Sequence, residues 1–362
     1  MIAYRDIVDA RAHLPTEIIR TPLQVWRHAT TLTGSTVHLK LESFQRTGSF
    51  KPRGAWNRIR RLSAADLARG IVCASAGNHA QGVAFAAERR GARATIVMPE
   101  TAPRLKIAQT RLYGDPEIIL HGRDVAEALD RAQDLRRERG AVFIHAYDDD
   151  DVIAGQGTVG LEIIEQCPAV GTIIVPVGGG GLIAGVARAV RAVKPDVAVI
   201  GVQAKGADAV IRALHSGQPV RLESSATIAD GINVRVAGAR PVAILDALQV
   251  PVVGITDEEI RAAMVALCQT AKLVVEPAGA AAAAVALFRR DLFPRRRHVV
   301  CLVSGANIDI CCYAAVLQAF PAEATATAGL TGLSCTGGEA RRSCLGAATL
   351  PRAHHAQTSS PA

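Results

Sequence analysis

Apolar residues alternate in type along this chain, between short continuous runs and stretches where they recur every three or four positions. The runs at 71–74, 95–98, 117–120 and 142–145 are mostly apolar with Val and Ile prominent, and 37–41 holds Val37, Leu39 and Leu41; all five predict strands. Between them, helical periodicity predicts helices over 56–62, 79–90, 104–113 and 125–138, after a short one over 2–13. Strands separated by helices of this length imply parallel pairing through crossovers. The same alternation resumes beyond the acidic turn 148–151. It predicts helix 158–166, strand 172–177, helix 182–193, strand 197–203, helix 207–216, a less regular stretch over 218–250, helix 258–271, an alanine-rich helix from Pro277 and strand 298–303.

The expected fold class is therefore α/β, with two open α/β domains of mostly parallel sheets and a cleft between them. Residues 1–54 with 146–320 would form the larger domain and 55–145 the smaller. Beyond Phe320 the apolar pattern fades into Ala, Thr, Ser and Gly, so 321–362 is expected to be a disordered tail.

Composition narrows this picture. Apolar residues make up 49% and charged ones 20% of 362 residues, enough to bury the cores of about two domains. The net charge of +8 invites a nucleic-acid reading, but the arginines are mixed with acids, as at 136–139, and no aromatic platforms interleave with them. The excess charge suits attraction of an anionic substrate or cofactor instead. Eight cysteines occur without CxxC pairs or a local His/Cys cluster at zinc spacing, and the neighbours Cys311 and Cys312 form no metal motif. Reduced thiols and a cytoplasmic setting are expected, with neither a signal core nor a membrane span in the sequence.

Two stretches carry candidate chemistry. Lys51 follows Ser49 and Phe50 and precedes Pro52, so its amine sits in a pinned, partly apolar segment. Desolvation there lowers a lysine pKa, which an imine-forming amine needs near neutral pH. Gly178-Gly179-Gly180-Gly181 follows an apolar strand and opens a helix, where bare amides and the helix dipole favour an anion such as phosphate. A dinucleotide fingerprint is the rival, since Gly179-x-Gly181-x-x-Ala184 matches its loose form. The next strand nevertheless ends in Gln203, where a ribose-binding acid is expected, and no Gly-Lys-Ser or Gly-Lys-Thr makes a P-loop. A phosphate cradle, an unusual lysine and no metal motif together point to pyridoxal 5'-phosphate.

The chain resembles the threonine/serine dehydratases (threonine ammonia-lyases) of the tryptophan-synthase-like fold of pyridoxal-phosphate enzymes. The matching segments occur in order over roughly 15–320. They are Thr21-Pro22-Leu23, Lys40 to Lys51, Ser75 to Gly82, Ala154 to Thr158, Gly178 to Leu182, Glu276-Pro277 and Ser304 to Asn307. The resemblance implies that Lys51 carries the cofactor and acts as catalytic base, with Phe50 against the ring and Asn78 at its hydroxyl. Gly178, Gly179, Gly180, Gly181 and Leu182 would hold the phosphate, and Ser304 the ring nitrogen. A neutral hydroxyl there leaves the ring a weaker electron sink, which favours prompt loss of a β leaving group over transamination. Ser75, Ala76, Gly77, Asn78 and His79 would grip the substrate carboxylate, although a plain strand-to-helix turn capped by Asn78 accounts for them equally.

The implied reaction is β-elimination of L-threonine, and of L-serine, to a 2-oxo acid and ammonia. An amino-acid racemase of the same fold is the alternative, followed by a non-catalytic nucleotide-binding protein. Racemases resembling this chain carry a serine where Ala76 stands and bind a cation where Gln203, Ala207 and Ala209 stand here beside Asp208, so elimination without a metal is expected. Glu276 reads equally as a helix N-terminal charge, and Asp148 to Asp151 as a solvated turn. The expected partners are a small amino-acid substrate and further copies of the chain, as dimer or tetramer, with no nucleic acid and no membrane.

Overall fold

In the computed structural model, which describes residues 2–293 and 297–319, the strands fall into two sheets. In chain order they are β1 (Leu23–Val25), β2 (Thr36–Leu41), β3 (Ile71–Ala74), β4 (Ala94–Met98), β5 (Glu117–Leu120), β6 (Val142–Phe143), β7 (Val170–Pro176), β8 (Ala198–Ala204), β9 (Val252–Ile255) and β10 (His298–Val303). The six-stranded sheet runs β1-β2-β10-β7-β8-β9 and the four-stranded one β5-β4-β3-β6. All pairs are parallel except β1 with β2. This is the mostly parallel α/β architecture that the alternating pattern predicts.

The central strands β10 and β7 read as nearly unbroken apolar runs because helices cover both of their faces, whereas β2 alternates Val37, Leu39 and Leu41 with His38 and Lys40. Val37, Leu39 and Leu41 pair in register with Val299, Cys301 and Val303, all buried. The helix Pro277–Phe288 is buried along its whole length, since alanine lets helix and sheet approach closely. The parallel arrangement brings the carboxyl ends of β3, β7 and β10 to one side, where open sheets of this kind bind ligands.

The boundaries differ from the sequence pattern in instructive places. The helix predicted from residue 56 begins at Lys51, because Pro52 fits its first turn, where an amide hydrogen has no intrahelical acceptor. The helix predicted from 158 begins at Asp150, capped by the Asp149 carboxylate, which accepts from the Val152 amide. Its early glycines look like breakers but serve close packing: a Cβ on Gly155 would stand 2.4 Å from the Arg53 carbonyl. The acids 148–151 are thus no solvated turn. Asp148 accepts from the amides of Ala239 and Arg240, and Asp151 pairs with Arg58 and Arg61. Within the stretch read as irregular lies the helix Ala239–Ala247, and β9 follows it. The helix predicted over 258–271 is α-helical as Asp257–Ala266 and then widens into a π turn. The tail expectation for 321–362 lies outside the described residues.

Candidate active site

Between the strand ends lies a cavity of about 640 Å³, lined from both sheets by Lys51, Ser75, Asn78, the glycine loop, Glu276 and Ser304 among others. Lys51 opens its helix at the floor. Its segment is pinned by an antiparallel match with the turn after β10: Phe50 N donates to Ser304 O at 3.1 Å, Ser49 bridges Gly305, and Ala306 N donates to Gly48 O at 2.9 Å. The Lys51 Nζ donates to Ala146 O at 3.1 Å and stands 5.3 Å from the Phe50 ring centre. Burial pushes this ammonium down to about 8, and Glu276 opposes the shift only where it is itself ionised. Near neutral pH far more of it is uncharged than for a solvated lysine.

The loop after β7 supplies no side chains until Leu182, whose side chain is buried in the wall behind it. A Cβ on Gly179 would stand 2.3 Å from the Tyr147 ring, and one on Gly181 2.7 Å from Tyr147 O. Gly180 has φ +96°, a conformation that favours glycine, and its added Cβ would meet Pro241 at 2.7 Å. Packing beneath the loop thus demands the glycines, and the start of the helix Gly181–Val193, where amides have no intrahelical acceptor, lines the cavity. Gln203 anchors the loop from behind: its Nε2 donates to Gly178 O and its Oε1 accepts from Ile211 N, both at 3.1 Å.

Residues 75–79 carry the chain from β3 into the helix Asn78–Arg89. Ser75 Oγ accepts from Gly77 N at 3.1 Å, closing a tight turn, and Ala76 adds only a methyl group. Burial pushes His79 down to about 3, so its ring is neutral, and its Nε2 is engaged with Ile144 O at 3.0 Å. His79 therefore meets the cavity as a structural ring rather than as a proton donor. Ser304 Oγ is buried and lies 3.4 Å from Ala278 O.

Asn78 joins a network that the sequence did not disclose. Its Nδ2 donates to Glu276 Oε1 at 2.7 Å, and its Oδ1 accepts from Asn307 Nδ2 at 2.7 Å, which also donates to Thr47 O. Burial pushes the Glu276 carboxyl up to about 8, with the charge of Asp230 adding to the effect. Glu276 thus stands at the N-cap position of the helix Pro277–Phe288 but turns its carboxyl to Asn78, as a cavity acid held neutral near pH 7. Tyr147 and His145 were missed as well. The Tyr147 hydroxyl donates to Val236 O at 2.9 Å, and His145 Nδ1 accepts from the amides of Tyr147 and Asp148. The Asn78–Glu276 and Tyr147–Val236 partners come from separate loops, which no fixed spacing reveals, whereas the His145 contacts lie only two and three residues on. The arrangement can hold an anion on bare amides, present a reactive amine, and hydrogen-bond a flat polar ring.

A family model described as pyridoxal-phosphate dependent enzyme matches residues 14–305. An L-threonine ammonia-lyase of Thermotoga maritima is 44% identical over 310 residues, spanning 86% of this chain and 77% of that protein. Among solved structures, the processed form of threonine deaminase isoform 2 from Solanum lycopersicum superposes with TM-score 0.83 at 36% identity, covering 87% of this chain and 92% of that one. A maize serine racemase superposes with TM-score 0.82 at 34% identity, covering 87% and 97%.

Proposed function

The chain belongs to the family of pyridoxal-phosphate dependent enzymes, and from that premise we propose that Lys51 carries the cofactor and serves as the base in the β-elimination of L-threonine. The protein is a threonine ammonia-lyase, releasing a 2-oxo acid and ammonia. The observation that carries the Lys51 assignment is a pinned amine with its pKa near 8 in the same cavity as a loop that presents only amides.

The residues present fit the cofactor. Amides of Gly178 to Leu182 would take its phosphate, Asn78 its ring hydroxyl and Ser304 Oγ its ring nitrogen, with Phe50 beside Lys51. When bound, pyridoxal phosphate supplies the electron sink for the charge that develops at the substrate Cα. Amides of the Ser75–His79 turn, at a helix N-terminus, would hold the substrate carboxylate. The neutral Nζ of Lys51 then takes the proton from Cα, which its lowered pKa permits near pH 8. Glu276, protonated near neutral pH, leaves Asn78 held without adding negative charge to the cavity. L-serine, one methyl smaller, is the second expected substrate.

The likeness to the maize serine racemase favours one rival, inversion at Cα. Inversion needs a second proton donor, and the Ala76 methyl cannot be one. A cytoplasmic setting is supported by Cys73 and Cys301, buried as free thiols. Among the described residues no helix is long and apolar enough to cross a membrane.

The test is 2-oxo acid release from L-threonine and L-serine, with chiral analysis of the remaining serine. Elimination is expected from the parent. Lys51→Ala should lose both elimination and the visible absorbance of bound cofactor while melting near the parent temperature. Retained elimination in that variant would remove Lys51 from its role, and D-serine as the main product would make the enzyme a racemase.

A further inference from the structure

At the end of the six-stranded sheet remote from the cavity, three ligand-type side chains from distant parts of the chain meet. His38 lies on β2, His298 opens β10, and Cys167 ends the helix Asp150–Gln166 just before β7. Ser304 follows the last residue of β10, so about 20 Å of strand separates His298 from the cavity floor. His38 Nε2 stands 3.0 Å from His298 Nδ1, with 5.3 Å between ring centres and 19° between planes, so the rings meet edge to edge through that hydrogen bond. Cys167 Sγ lies 4.0 Å from the same Nε2, and all three ligand atoms fall within 4.8 Å of one another.

We propose that His38, Cys167 and His298 form a site for a zinc ion. Two imidazole nitrogens and a sulfur are the ligand set of borderline and soft transition metals, whereas magnesium and calcium want oxygen. The geometry is close to what zinc requires. With Zn–N near 2.1 Å and Zn–S near 2.3 Å, a tetrahedral ion sets ligand nitrogens about 3.4 Å apart and nitrogen to sulfur about 3.6 Å. The nitrogen pair at 3.0 Å and the Nε2–Sγ pair at 4.0 Å each differ from these spacings by about half an ångström, and both rings must turn so that their lone pairs meet at one ion. As free side chains the rings share one hydrogen bond and the thiol sits at the far limit of another; an ion would satisfy all three. Cys167 is buried while both rings are partly exposed, which leaves a fourth position open to water.

Bound there, the ion would tie β2 and β10 to the end of the helix that carries Thr158 and Glu162, both partners of Arg53. Its distance from Lys51 makes it a structural tie rather than a part of the chemistry. Among the described residues, this is the one group of three or more His, Cys, Asp or Glu side chains brought close enough to hold a metal ion.

The holoenzyme, dialysed against a chelator, is titrated with zinc by calorimetry and with cobalt(II) as a spectroscopic probe. One zinc per chain is expected, a thiolate-to-cobalt charge-transfer band, and a melting temperature that rises with zinc while elimination changes less than about twofold. Cys167→Ser should abolish the band, and either Cys167→Ser or His298→Gln should weaken zinc by more than about 100-fold, beyond the loss typical of an outer-shell partner. The double variant Cys311→Ser/Cys312→Ser removes an exposed pair and should keep the band. Unchanged cofactor absorbance in the variants shows that they fold, and His298→Gln leaves every cysteine in place. A parent without the band, a band that survives Cys167→Ser, or zinc affinity untouched by His298→Gln would overturn the site.

Discussion

Lys51 and Glu276 line the same cavity, and burial moves both toward neutrality, the ammonium down to about 8 and the carboxyl up to about 8. For Glu276 this ties stability to pH. An unfolded chain loses that proton near the ordinary 4.5 while the folded one keeps it to about 8. The stability it contributes is whole below 4.5 and is lost as pH rises through 8. Glu276→Gln keeps an acceptor for Asn78 but cannot ionise. Buried neutral His79 makes stability rise with pH up to about 6.5 in parent and variant alike, so the melting temperature of the cofactor-free parent minus that of the variant is what should fall between pH about 5 and 8. Parallel curves would mean that Glu276 is ionised in the fold. The Lys51 window lies higher, between 8 and 10.5, so the two contributions are separable.

Among the elements, the loop after β7 shows how a strand end becomes a binding surface. Its amides are useful because Tyr147 and Pro241 fill the space beneath it and Gln203 ties it to the helix Ala209–Ser216. Gln203→Ala would leave Gly178 O and Ile211 N without this partner, a cost of about 1–3 kcal/mol if each stays buried. A lower melting temperature together with weaker cofactor retention is expected. If the melting temperature falls and cofactor affinity stays at the parent value, Gln203 supports the fold without shaping the loop. The glycine loop itself was legible in the sequence, since four glycines after an apolar strand have few structural uses. Its anchor was not, because Gln203 in the sequence is only the end of the next strand.

For the whole molecule, the element that carries Lys51 is held by a buried ionic cluster. Arg53 donates to both oxygens of Glu42 and of Glu162, and Lys40 also reaches Glu162. Arg53 and Glu42 have no exposed surface. The cluster joins the end of β2, the helix Lys51–Arg60 and the helix Asp150–Gln166. Arg53→Met would leave two buried carboxylates short of a counter-charge, a loss of about 3–5 kcal/mol readable from denaturant midpoints. A loss below about 1 kcal/mol would mean that the cluster is solvated. Every cavity residue named above lies within 1–320, so deleting 321–362 should leave kcat and KM for L-threonine unchanged. A large change in either would bring the deleted segment into the function.

Local pattern alone determined the βα alternation and the parallel sheets, and it nominated the glycine loop and Lys51 as candidates. Those features follow from backbone conformation and from which face of an element is apolar, and both are written within ten or twenty neighbouring residues. Tertiary structure alone decided that Arg53, one more charged residue in a basic helix, is buried between two glutamates. It also decided that Glu276 meets Asn78 across 198 positions, and that His38, Cys167 and His298 converge. Such contacts depend on strand order, register and the way helices pack on both faces of a sheet, which no spacing along the chain encodes. The same packing sets the dielectric around each group, so the sequence could nominate Lys51, but only its burial brought the amine into a working pH range.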